Sequence, residues 1–101
     1  MKTLVATFLA LSLSLATHSA IAGDAAAGKA KSPMCAGCHG QGGISVIPSY
    51  PNLAGQKEAY LIKALKDFRS KARTDAIMNA MTAGLTDTDI SNLAAFFSSQ
   101  K

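Results

Sequence analysis

Cys35 and Cys38 stand three positions apart, and His39 directly follows the second of them. No other feature narrows the possible folds so much, because Cys35-Ala36-Gly37-Cys38-His39 contains both cysteines of the chain and has the form of a c-type haem attachment site. Each part has a physical task. The two thiols add across the two vinyl groups on one edge of the porphyrin, and two intervening residues give the chain reach to meet both. His39 is thereby carried under the ring, where an imidazole nitrogen can bind iron from one side. A haem held by two thioethers cannot leave, which suits a chain with little core of its own.

Other uses of these residues fit less well. A structural zinc site needs four ligands. Once the export signal described next is removed, the chain offers Cys35, Cys38 and His39 with no further Cys or His, since His18 is lost with the signal. A thiol–disulfide oxidoreductase places its Cys-x-x-Cys near a βαβ pattern, and no alternating strand is evident here. A disulfide would be the ordinary fate of two cysteines in an exported protein, but His39 beside Cys38 favours haem.

The first 22 residues have the build of a cleavable secretory signal. Lys2 is the positive start, and Leu4 to Leu15 is apolar apart from Thr7, Ser12 and Ser14. That run is shorter than the roughly 20 residues a membrane span requires. Ala20 and Ala22 supply the small-residue pattern for cleavage after Ala22, so the mature chain is expected to be residues 23–101, in the periplasm. A domain of about 79 residues buries only about 60% of its unfolded surface and needs a staple. With no tryptophan and six aromatics, a large apolar cofactor would supply it. Loss of Lys2 leaves nine basic against six acidic residues, a mild excess that gives no sign of nucleic-acid binding.

The mature chain is expected to be one all-α domain of three or four helices. Asp24 can cap a first helix through Lys31, and Pro33 should kink or restart it. Gly40 to Gly43 and then Pro48, Pro51, Asn52 and Gly55 mark a loop. Leu61, Leu65 and Phe68 lie at helical spacing between about Lys57 and Ser70, with Lys63, Lys66 and Arg69 as a solvated face. A short segment over residues 75–81 ends at Gly84, a residue suited to a left-handed closing turn. Thr86 and Asp89 have capping-box spacing before a last helix whose core face is Ile90, Leu93, Ala94 and Phe97.

These pieces together resemble the class I c-type cytochromes, and among them the single-haem relatives of cytochrome c4. The resemblance is carried by Gly23-Asp24-Ala25-Ala26-Ala27-Gly28, the haem motif with Gly40, Pro51-Asn52-Leu53-Ala54-Gly55-Gln56, Tyr60-Leu61, and Leu85 to Ile90 running into Leu93-Ala94-Ala95-Phe96-Phe97. It implies the small class I cytochrome c fold around one covalently bound haem c. His39 would be the proximal iron ligand, and the Pro51 carbonyl would accept a bond from its other ring nitrogen. Gly28 would let the last helix approach, with Leu93 and Phe96 packing there. Pro33 departs from the pattern by interrupting the first helix, and Phe96 replaces a common tyrosine.

Methionine opposite histidine raises the potential of a haem, and the mature chain holds Met34, Met78 and Met81. Met34 adjoins the attachment motif and is tied to the proximal side. Met78 and Met81 are three residues apart, so helical periodicity does not separate them. The resemblance favours Met78, a few residues past Arg73, with Met81 as the alternative and otherwise ordinary packing.

The expected role is a carrier of single electrons between respiratory or dehydrogenase redox partners. No nucleophile–base pair, carboxylate pair or phosphate loop stands out, so the chain is not expected to be an enzyme by itself. No stable membrane insertion of the mature chain is expected either. Two other roles share these residues: a cytochrome subunit of a larger oxidoreductase, and a haem enzyme or gas sensor with an open distal site. Docking is expected at an apolar patch near Ala36, Gly37 and Met78, ringed by some of Lys57, Lys71 and Arg73, with weak charge steering.

Overall fold

A computed structural model describes residues 2–7, 10, 12 and 23–101. His18, Ala20 and Ala22, with the expected cleavage point, lie outside the described residues. Among the described residues the fold is five α-helices and one 3₁₀ turn, without strands: α1 (Ala25–Lys31), α2 (Pro33–His39), the 3₁₀ turn (Gln41–Gly43), α3 (Glu58–Ser70), α4 (Ala76–Thr82) and α5 (Asp87–Ser99). The all-α expectation holds, with five helices where three or four were anticipated. Pro33 accounts for the extra one. Ser32 closes α1 and Pro33 occupies the first turn of α2, where its missing N–H would have had no partner anyway. Among the described residues, no helix is long and apolar enough to cross a membrane.

Local chemistry sets most helix ends. Asp24 accepts from the N–H groups of Ala26 and Ala27 at 2.9 and 3.2 Å. Thr86 and Asp89 form a reciprocal capping box, each side chain accepting the other residue's backbone N–H at 3.0 Å. Gly84, however, is not left-handed. Among the described non-glycine residues the left-handed one is Lys71, at φ 66°, which closes α3. A lysine there accepts a backbone cost that glycine would avoid, so the turn after α3 is held by ties made elsewhere.

The buried apolar core is Leu61, Leu85, Ile90, Leu93, Ala94, Phe96 and Phe97. Five of these seven come from α5, so one helix is the spine and the others are hung on it. Burying a side chain such as Ile90 or Leu93 contributes about 1.5–3 kcal/mol each. Helix α1 packs along α5 at Gly28, where an added Cβ would lie 1.9 Å from Asn92 O and 2.8 Å from Phe96 Cβ. Phe96 is therefore at the close approach as expected, whereas Leu93 lines the cleft described below.

The face of α3 is not uniformly solvated. Lys63 and Lys66 are exposed, but Arg69 is half-buried. Its guanidinium donates to Leu85 O at 3.0 Å and to Asp87 Oδ1 at 2.6 Å, bolting α3 to the start of α5.

Candidate cofactor site

Helix α2, the loop after it, α3, α4 and α5 surround a mostly apolar cleft of about 390 Å³. Cys35, Cys38 and His39 stand on one wall. Because α2 is helical, the residues at i and i+3 share a face, and both cysteines reach the cleft as half-buried free thiols. Burial pushes the Cys35 thiol up to about 11, so it stays neutral in water near pH 7. An apolar wall that disfavours a free thiolate suits an uncharged thioether. Among the described residues, no three His, Cys, Asp or Glu side chains gather as a metal site.

His39 is buried, and its ring is fixed from two sides. Nδ1 lies 2.7 Å from Pro51 O, and Tyr50 meets the ring edge-on at 6.3 Å between centroids. A carbonyl only accepts, so Nδ1 carries a proton, and in the neutral ring Nε2 is the nitrogen with the lone pair that binds a metal. Pro51 is held in turn by its loop. Gly43 O accepts from Leu53 N–H at 2.8 Å and from Ala54 N–H at 3.1 Å, and Gly55 N–H donates to Phe97 O at 2.9 Å. Gly43 has a φ of +81°, and a Cβ there would strike Ala54 N at 2.7 Å. A glycine is thus required for the fold-back that brings Pro51 over His39.

Met78 and Met81 both line the wall formed by α4, with Met78 half-buried and Met81 37% exposed. Met34 reaches the same cleft from the α2 side, beside Cys35. The backbone of Met78 is gripped at both ends: its N–H donates to Asp75 Oδ1 at 2.9 Å, and its carbonyl accepts from Thr82 Oγ1 at 2.7 Å. Thr82 is only 1% exposed. Sequence reasoning passed over Asp75 and Thr82, although an Asp three residues before Met78 is a recognisable cap signal. Arg73, expected on a docking rim, is exposed, lines the cleft and stacks over the Phe68 ring at 4.6 Å.

The family profile described as cytochrome c matches residues 25–101. The chain belongs to the cytochrome c family. It is 45% identical over 100 residues to cytochrome c4 of Pseudomonas aeruginosa, covering 99% of this chain and 49% of that protein. It is 48% identical over 83 residues to cytochrome c-554(548) of Halomonas halodenitrificans, covering 79% of this chain and all of that one. The fold is similar to the crystal structure of reduced recombinant cytochrome c4 from Pseudomonas stutzeri, with a TM-score of 0.76 and 43% identity over 79% of this chain and 47% of the other. The chain thus spans about half the length of its cytochrome c4 relatives. Membership of the cytochrome c family implies covalent haem c, and the chain has one Cys-x-x-Cys-His for it. Two thiols on one face, an imidazole with Nε2 free of the Pro51 bond and an apolar cleft suit that group.

Proposed function

We propose that residues 23–101 form a single-haem electron carrier of the periplasm, exported by a signal cleaved after Ala22. Cys35 and Cys38 would hold the haem, and His39 through Nε2 and Met78 would bind its iron. When bound, the haem supplies a one-electron couple at its iron. The polypeptide fixes one ligand through the Pro51 carbonyl, grips the other through Asp75 and Thr82, and keeps water from the apolar walls. Holding two ligands still in both oxidation states keeps atomic motion small, and a carrier needs that for rapid exchange.

One observation carries this reading: the 2.7 Å contact between His39 Nδ1 and Pro51 O beside two cleft-facing cysteines. Partners are redox proteins, a respiratory complex, an oxidase or a dehydrogenase, met in brief encounters with little charge steering.

The test is to express the full chain in a host with a haem-attachment system, then measure the mass and the oxidised and reduced spectra of the periplasmic product. One haem on a polypeptide beginning at Gly23, six-coordinate in both states, is expected. Cys35→Ala or Cys38→Ala should each weaken or abolish stable holoprotein, and two acid-stable thioethers in either variant would refute the attachment reading. An oxidised form that binds ligands as an open site does would favour a sensor or enzyme instead.

A further inference from the structure

One side chain closes the turn between α3 and α4. Asn79 Nδ2 donates to Phe68 O at 2.7 Å and to Arg73 O at 2.9 Å, and Asn79 Oδ1 accepts from Asp75 N–H at 3.0 Å. The last turn of α3, the connecting turn and the cap of α4 converge on a single amide. Only a primary amide offers two donors and an acceptor in so small a group.

Helix α4 depends on such ties. It has seven residues, too few to be stable alone, and it follows a turn that begins with the left-handed Lys71. Asp75, which donates its N–H to Asn79, uses its carboxylate to hold Met78 N–H. A continuous set of hydrogen bonds therefore runs from Phe68 through Asn79 and Asp75 to Met78, ending on the residue whose side chain lines the cleft.

We infer that Asn79 is the positioning residue for the distal methionine, fixing the separation of α4 from α3 and thereby the place of Met78 against the haem. This rests on the assignment of Met78 as the distal ligand. Asn79 itself is tied to backbone rather than to the cofactor, so its effect is on how much of the oxidised protein keeps methionine on iron. An external ligand competes for whatever fraction is released.

The experiment is imidazole binding to the oxidised, haem-loaded protein, read from its spectrum. Asn79→Ala should raise imidazole affinity about tenfold, the scale of losing about one net hydrogen bond's worth of stabilisation at one site. Asn79→Asp retains an acceptor for Asp75 N–H but cannot donate to Phe68 O or Arg73 O, so it should shift affinity in the same direction; it serves where the alanine variant fails to take up haem. Asn92→Ala is the control, because Asn92 Oδ1 accepts from Asp24 N–H at 2.8 Å on the far side of α5 and its loss loosens the fold without touching α4. It should leave imidazole affinity unchanged. Parent-like affinity in the Asn79 variants overturns the inference, as does an equal rise in Asn92→Ala, which would indicate general loosening. Met78→Ala is measured beside them. If its methionine absorption band persists, the ligand assignment falls and the inference with it; if the band is lost while the Asn79 variants bind like the parent, only the role of Asn79 falls.

Discussion

His39 Nδ1 donates to the carbonyl of Pro51, twelve positions along the chain, at 2.7 Å. This bond fixes the tautomer of the imidazole and makes Nε2 a stronger donor to iron. Pro51→Ala keeps a carbonyl but frees its φ. Stability should fall by about 0.4–1 kcal/mol through the more flexible unfolded chain, and the midpoint potential should rise slightly as a weaker bond lowers the basicity of His39. Urea titration and a redox titration of the same sample check both. An unchanged potential beside reduced stability would show that Pro51 braces the loop without tuning the ligand.

Met78→Ala should lose the weak red band of methionine on ferric haem, lower the potential and allow carbon monoxide to bind the reduced form. Met81→Ala should keep all three properties of the parent, because its side chain packs in the cleft without binding iron. The reverse pattern would move the ligand to Met81.

Gly28→Ala should destabilise by about 3 kcal/mol or more, because the new methyl would lie 1.9 Å from Asn92 O and neither helix backbone can yield locally. Gly84→Ala should do the opposite and stabilise by about 0.4–1 kcal/mol, since nothing lies within 4 Å and its φ is not left-handed. Urea midpoints of the two variants decide it, and destabilisation by Gly84→Ala would restore the left-handed turn expected from sequence.

Arg69 holds the Asp87 carboxyl below the usual carboxylate range, chiefly by their hydrogen bond and then by charge. Asp89 is also lowered, mainly by its bond from Thr86 N–H. A depressed carboxylate stabilises the fold above its unfolded value, about 4, and that contribution is lost as pH falls through the lower folded value. Asp87→Asn should therefore be less stable than the parent at pH 7, with the difference shrinking toward pH 2. Thermal midpoints across that range test it; a constant difference would mean that the charge of Asp87 plays no part.

Local sequence determined much of this protein. Cys35-Ala36-Gly37-Cys38-His39 fixes its own spacing, Asp24 and the Thr86–Asp89 pair mark helix starts, and Pro33 forces a break, because each acts within a turn of itself. The α5 pattern of Ile90, Leu93, Ala94 and Phe97 named the core for the same reason. Tertiary structure decided what depends on residues far apart. Gly84 suggested a left-handed turn, yet Lys71 takes that conformation where the α3–α4 connection is tied down by Asn79. Arg69 and Arg73 looked alike as surface charges until Leu85 O, Asp87 and the Phe68 ring gave them partners. Both methionines of α4 reach the cleft, but only the fold shows Met78 held at its N–H and its carbonyl, since those grips need Asp75 and Thr82 placed by a helix too short to place itself.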